Sequence, residues 1–133
     1  MKSKLIVIEG LDGSGKATQT KLLADKLTSM GKTVRKLEFP DYDSPSSSLV
    51  KMYLNGDFGK NPEDVNAYAA SAFYAVDRAA SYLKNWKTDC NNSSVILCDR
   101  YCTSNIIYQM SKINNDELDS FIEWQSDFEY NEL

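Results

Sequence analysis

"LIVIEGLDGSGKATQTKLL", residues 5–23, decides the fold. Leu5 to Ile8 is a short continuous apolar run, the pattern of a strand buried on both faces of a parallel sheet. The next residues follow the phosphate-loop spacing G-x-x-x-x-G-K-[S/T] at Gly10, Gly15 and Lys16 and break it at the last position. Ala17 stands where a magnesium-binding hydroxyl belongs. Thr18 comes one residue late, about 100° further around a helix. Beyond the loop, Leu22, Leu23, Leu27 and Met30 recur at helical spacing, and Gly31 is placed to end that helix. A strand, a glycine turn and a helix in this order let backbone N–H groups surround phosphate oxygens. Gly10, Gly13, Ser14, Gly15, Lys16, Ala17 and Thr18 are the candidate phosphate-binding residues, with Lys16 adding charge at the β- and γ-phosphates of a nucleotide.

Bulk composition narrows the chemistry. The 133 residues, 42% hydrophobic and 26% charged, suit one globular domain with a buried core. No apolar run approaches the roughly 20 residues of a membrane helix. The basic-then-apolar start is too short for a signal peptide, so cytoplasm is the default reading. Three cysteines without paired spacing and a complete lack of histidine argue against zinc, a disulfide framework and Ser-His or Cys-His nucleophiles. Catalysis must rest on Lys, Arg, Asp, Glu or a metal. Charge is uneven: after Lys112 come Asp116, Glu117, Asp119, Glu123, Asp127, Glu129 and Glu132 with no base among them. A nucleic-acid polymer needs clustered Lys and Arg and is not an expected partner.

The rest of the chain continues a parallel α/β pattern. Thr33 to Phe39 reads as a second strand. Ser44 is a helix cap with Pro45 at the first position, and Gly56 closes that short helix. Asn61-Pro62-Glu63-Asp64 repeats the cap pattern and is expected to open a long helix running to Trp86. Ala69, Ala72, Phe73, Val76, Ala80 and Leu83 form its expected sheet-facing stripe. Tyr74 and Arg78 lie side by side at i,i+4, either as a surface cation–aromatic pair or as a grip for a flat, polar-edged ligand. Val95 to Cys98 is a third buried strand ending in Asp99-Arg100-Tyr101, where open α/β sheets bind ligands. Asp99 is a candidate Mg2+ ligand, directly or through water, or else a cap of the next helix. Arg100 is a candidate phosphate clamp or else a surface ion-pair partner. A helix with Thr103 or Ser104 near its cap follows. A last helix begins at Asn114 or Asn115 and carries Leu118, Phe121, Ile122, Gln125 and Phe128 along one side.

"IEGLDGSGKATQTKLL", Phe39-Pro40, "FYAVDRA" at 73–79 and "DRYCTSNIIYQ" at 99–109 together resemble the thymidylate kinase family over essentially the whole chain. The resemblance implies a P-loop NTPase-type three-layer α/β/α fold in a single domain, and transfer of the ATP γ-phosphate to dTMP. It implies that Gly10 to Lys16 hold the ATP phosphates and that Asp12 meets the sugar 3′-hydroxyl of dTMP. Phe39 and Pro40 then line the acceptor pocket, Tyr74 stacks on the base, Arg78 bonds the base edge, and Asn105 and Tyr108 contact base and deoxyribose. Lys16, Asp99 and Arg100 become the catalytic set, with Asp99 serving Mg2+ and Arg100 also holding the dTMP phosphate. Another nucleoside monophosphate as acceptor is the alternative. A homodimer through the family's helices is implied as well.

Three departures qualify what the resemblance implies. One is Ala17. The second is Gly13, where some family members carry a catalytic arginine and others leave that residue to a mobile lid. The third is the ending at Leu133, after three of the five strands the family implies and before any lid. The expectation is therefore a portion of the family's domain whose strands lie in the order 2-3-1, with strand 1 at an exposed edge. Such a chain is expected to turn over slowly or not at all, or to act as a non-catalytic nucleotide binder.

Overall fold

The computed structural model describes residues 3–92 and 94–132. Its centre is a parallel three-stranded sheet of β1 (Lys4–Ile8), β2 (Val34–Glu38) and β3 (Val95–Asp99), ordered β1-β3-β2. This is the 2-3-1 order expected from the sequence. Register brings the strand ends together, because Ile8 and Glu38 both stand opposite Asp99. The loops after all three strands therefore open at one end of the sheet, where parallel α/β folds place their ligands.

Only β3 is buried as a central strand should be, with Ile96, Leu97 and Cys98 almost fully enclosed. β1 departs from the two-sided burial that its apolar run suggests and matches the exposed edge expected for strand 1. Lys4 and Leu5 are exposed, Leu5 at 47%, and Ile6 to Ile8 are half-buried. The reason is position: β1 lies at an edge of the described sheet, so its apolar side chains lack the neighbour that encloses those of β3.

Pleat alternation divides the core. Ile96 and Cys98 point to one face and pack with Val7, Leu37, Phe39, Tyr82 and Trp86. Leu97 points to the other, where α1 (Lys16–Ser29) lies against β3 and β2. The α1 seam is Thr20 and Ala24, buried at i,i+4, with Leu23 and Leu27 half-buried beside them. Leu22 and Met30, expected in that seam, are exposed. α1 ends as expected at Gly31, where the Gly31 and Lys32 N–H groups bond back to Thr28 and Leu27 carbonyls in a Schellman arrangement.

Ser44 accepts from the Ser46 N–H and opens a 3-10 turn, Pro45–Ser47, that leads into α2 (Ser48–Asn55), and Gly56 caps it in the left-handed region. The next element departs from expectation. Pro62–Asp64 forms a single 3-10 turn, with the Asp64 carboxylate accepting from the Asn61 N–H at 3.0 Å. Val65 is then extended, and a second asparagine, Asn66, caps the Ala69 N–H and starts α3 (Ala67–Ser81). α3 passes into a π-helical turn, Tyr82–Trp86, so the expected end holds although the start moves.

The expected stripe on α3 is also corrected. Val76 is 41% exposed and Leu83 64%, while Ala67, Ala70, Ser71, Ala75, Asp77, Arg78 and Ser81 are buried. α3 turns its small and polar side inward because Asp77, Arg78 and Ser81 find partners there, in the segment after β2 and in the turn after α5. α4 (Cys102–Met110) follows β3 and packs on α3; α5 (Leu118–Asp127) packs on α4 and α3. α5 starts three to four residues later than the asparagines suggested, and it buries Phe121 and Gln125 as expected.

Candidate functional site

The site grows from the strand ends. The turn after β1 leads into α1 through Gly15, whose φ of 88° lies in the left-handed region, as does the 75° of Gly13. Both positions favour glycine, since a Cβ disfavours that conformation. Gly10 serves by closeness instead, because an added Cβ would sit 2.8 Å from Ser14 Oγ. No side chain caps the amino end of α1 and no acid occupies its first turn, so its leading N–H groups and dipole stay available to an anion. Lys16 Nζ donates to Asp99 Oδ1 at 2.6 Å, both groups being largely enclosed. Asp99 therefore faces the loop and not α4, which rules out its reading as a helix cap; the N-cap position of α4 is Tyr101, without a side-chain bond. Thr18 and Ala17 are exposed on α1.

The next residue, Arg100, has a φ of 69°, unusual for a non-glycine and a form of strain often held at working sites. Its backbone N–H is tied to Ile8 O at 3.0 Å, and the turn throws its side chain across the mouth of the site. There the guanidinium donates to Asp12 Oδ1, to Ser104 Oγ at 3.3 Å and to Tyr108 OH at 3.4 Å, with its carbon 5.6 Å from the Tyr108 ring centre. Burial alone would lower its pKa, but the bonds and charges of Tyr108 and Asp12 outweigh this and raise it, so the cation is firmly fixed. The glycine loop and α4 are thereby joined through one ion pair.

Glu9 makes a second tie. Its Oε1 accepts the Tyr101 N–H at 3.0 Å and the Ser104 N–H at 3.3 Å, and its Oε2 accepts from Ser104 Oγ. A strand-end carboxylate thus does the capping that the sequence of α4 does not provide for itself. This fixes the helix that carries Asn105 and Tyr108.

Between these elements lies a cavity of about 460 Å3. Its lining includes Asp12, Phe39, Pro40, Tyr74, Arg78, Arg100, Asn105 and Tyr108, all eight residues singled out for the acceptor. Phe39 meets Tyr101 edge-on at 5.7 Å, and the Phe39–Pro40 peptide is cis. Tyr74 meets Tyr53 edge-on at 6.3 Å; burial, with the neighbouring phenols, pushes its pKa to about 12, so it stays a neutral aromatic surface. Arg78 is only 4% exposed and is held by Glu129, which overturns the surface-pair alternative for it. Both polar side-chain atoms of Asn105, and Gln109 Oε1, are buried without a partner among the described residues.

Several residues in or behind the cavity wall escaped the sequence reading. Gln109 repeats the Asn105 position one helical turn on, as Tyr108 repeats Ser104, and that paired i,i+4 polarity on α4 was the available signal. Lys112 reaches the cavity from just past α4 and donates to Tyr53 OH at 2.7 Å and to Val65 O at 3.3 Å. Asp77 is 1% exposed and accepts from the Asp41 N–H at 2.9 Å and Ser46 Oγ at 2.6 Å, pinning the Phe39-Pro40 loop to α3. Among the described residues no group of three or more His, Cys, Asp and Glu stands ready to hold a metal by itself. No helix among them is long and apolar enough to cross a membrane.

A parallel sheet whose first strand runs through a glycine loop into a helix defines a P-loop α/β fold. The family model for thymidylate kinase matches residues 8–129, and the chain belongs to that family. It is 37% identical over 109 residues to a thymidylate kinase of Pelotomaculum thermopropionicum, covering 82% of this chain and 49% of that protein. It is 30% identical over 130 residues to one of Mycobacterium tuberculosis, covering 97% of this chain and 59% of that protein. The solved thymidylate kinase of Candida albicans superposes with a TM-score of 0.72 at 30% identity, over 94% of this chain and 56% of the other. The chain thus spans about half the length of the curated relatives it matches.

Proposed function

We propose that this chain carries the phosphate loop and the acceptor site of a dTMP kinase, which passes the γ-phosphate of ATP to dTMP. The observation that carries the reading is the convergence of Asp12, Phe39, Pro40, Tyr74, Arg78, Arg100, Asn105 and Tyr108 on one cavity that opens beside the phosphate loop. Gly10, Gly13, Ser14, Gly15, Lys16, Ala17 and Thr18 hold the ATP phosphates through backbone N–H groups and the Lys16 charge. Arg100 grips the phosphate of dTMP, and Asp12, already in contact with it, meets the sugar hydroxyl. Tyr74 gives the base a flat neutral surface, and Arg78, with Asn105 and Gln109, gives it polar edges.

Mg2+ fits the residues present on one side only. Asp99 supplies the hard oxygen this ion prefers, and the ion commonly keeps waters and leans on substrate phosphates. Ala17 supplies no hydroxyl. Asp99, directly or through water, would therefore hold the metal together with the nucleotide, and the metal would offset negative charge on the phosphates. An arriving phosphate competes with Asp99 for Lys16. The exposed apolar residues Leu49, Met52, Tyr68 and Val76 on α2 and α3, with Leu83 in the turn after α3, support a homodimer through those helices.

Calorimetry with dTMP and an ADP-release assay against dTMP, dCMP, dGMP and dAMP test the reading. One-site dTMP binding and a preference for dTMP in ADP release are expected; equal response to all four acceptors sinks the dTMP assignment. A second reading, a nucleotide binder with little turnover, is favoured by one observation. The only arginines are Arg35, Arg78 and Arg100, and position 13 in the loop is glycine. An arginine on the transferring phosphate is worth about 10³ or more in rate. Tight dTMP binding without measurable ADP release from these 133 residues is the outcome this second reading requires.

A further inference from the structure

We propose that Glu129, seated by Gln125, is a positioning residue that sets base discrimination at the acceptor cavity by holding Arg78 in one orientation. The inference rests on the reading of that cavity as the acceptor site.

Arg78 is nearly fully buried on α3, and its sequence neighbour Asp77 does not serve it, being committed to Asp41 and Ser46. Its partner comes from far along the chain. In the π-helical turn Phe128–Glu132 after α5, Glu129 Oε2 accepts from Arg78 Nε at 3.0 Å and Oε1 accepts from Nη2. Gln125, fully buried one turn earlier, donates from Nε2 to the same Oε1 at 2.9 Å. The side chain of Glu129 is itself 6% exposed. A buried ion pair of this kind is weak evidence for stability, because desolvating two charges offsets much of their attraction. Its geometric effect is firmer: a two-point contact fixes the plane and the rotation of the guanidinium.

A guanidinium has five N–H donors and no acceptor. Glu129 takes two, one on Nε and one on Nη2. What Arg78 can still offer a ligand is donor only, from Nη1 and the free hydrogen of Nη2. A base edge with a carbonyl oxygen satisfies such a group. A base edge with an exocyclic amine sets donor against donor and leaves a buried group unpaired, which is where polar sites discriminate most strongly. Without Glu129 the fork is free to rotate, and its charge is no longer balanced. The cavity, already lined by Arg100 and Lys112, then gains a general attraction for anions and loses its base preference.

Affinities of the full 133-residue chain and of Glu129→Gln and Glu129→Asp, measured for dTMP, dCMP and 2-deoxyribose 5-phosphate, test this. Glu129→Gln is expected to narrow the dTMP-over-dCMP ratio by about tenfold or more. Its affinity for the sugar phosphate is expected to hold or rise. Glu129→Asp keeps the charge at shorter reach and should fall between. If Glu129→Gln does not fold, Gln125→Leu, which removes only the seat, must still narrow the ratio. A preserved ratio, or an equal loss for all three ligands as a merely structural role would give, overturns the proposal. Failure of the unaltered chain to bind dTMP overturns the acceptor-site reading itself, and this role with it.

Discussion

Removing the carboxylate of Asp77 should unfasten the wall of the cavity beside the phosphate loop. Asp77 is buried on α3, and its two oxygens receive the Asp41 N–H and the Ser46 hydroxyl, from the loop that carries Phe39 and Pro40. Hydrogen bonds to a charged acceptor contribute about 1.5–3 kcal/mol each. Both donors sit where water has partial access, so the low end applies, and Asp77→Ala should cost about 3 kcal/mol. Against the roughly 5–15 kcal/mol that holds a domain of this size, such a loss is large. By the usual size scaling it lowers Tm by about 10–15 °C. Asp77→Asn keeps one acceptor for the Asp41 N–H, and the Ser46 hydroxyl can turn to accept from the new amide, so its cost should be less than half as great. Urea unfolding followed by tryptophan fluorescence, with Trp86 in the nearby core, measures both variants. An alanine variant within about 1 kcal/mol of the parent, or an asparagine variant as damaged as the alanine one, would refute the assignment.

Stability should fall in alkali for a defined reason. Burial pushes the Cys98 thiol from 9.0 to about 12 and the Tyr74 phenol from 10.0 to about 12. Both folded values are raised, so their contribution is intact below the unfolded pKa. It is lost as pH rises, because the unfolded chain then releases protons that the folded one keeps. Unfolding free energy should begin to drop near pH 9, where Cys90, also raised by burial, contributes as well, and Cys98→Ala should make the drop between pH 9 and 10 shallower; an unchanged slope contradicts the burial of Cys98. Ala17→Ser should restore a hydroxyl at the loop and lower, several-fold, the Mg2+ needed for half-maximal ATP binding; an unchanged Mg2+ requirement means that Asp99 and the phosphates suffice. If the proposed homodimer forms through α2 and α3, Val76→Glu, on the exposed side of α3, should shift sedimentation toward the monomer with no more loss of Tm than dissociation itself brings; a dimer that persists places its interface elsewhere.

What could be read from residues alone was what local rules govern. The glycine spacing between an apolar run and an amphipathic helix specifies strand, loop and helix, because few other structures satisfy those residues together. Val95 to Cys98 was equally legible as a buried strand, its central place following only from the strand order that the resemblance implies. The start of α3 was not, because Asn61 with Pro62 and Asn66 both carry cap chemistry. Local rules do not say that the first closes a single turn while the second starts the helix. The inward face of α3 misled for a related reason. Apolar periodicity assumes a greasy core, whereas Asp77, Arg78 and Ser81 are buried against partners 31 to 51 residues away in the chain. Leu5 to Ile8 reads as buried by composition alone, and its exposure follows from the edge position that the resemblance implied and composition does not encode. Glu129 carried no signal at all, since nothing in an acidic tail distinguishes the one carboxylate that meets Arg78.

An amide NMR titration of the chain with dTMP tests whether the cavity beside the phosphate loop receives this nucleotide. Saturable shifts should concentrate at Asp12, Phe39, Tyr74, Arg78 and the stretch from Arg100 to Gln109, while the far end of α1 from Lys26 to Gly31 stays still. Shifts scattered over the surface, confined to residues outside the cavity, or absent at millimolar nucleotide would contradict dTMP binding in this cavity.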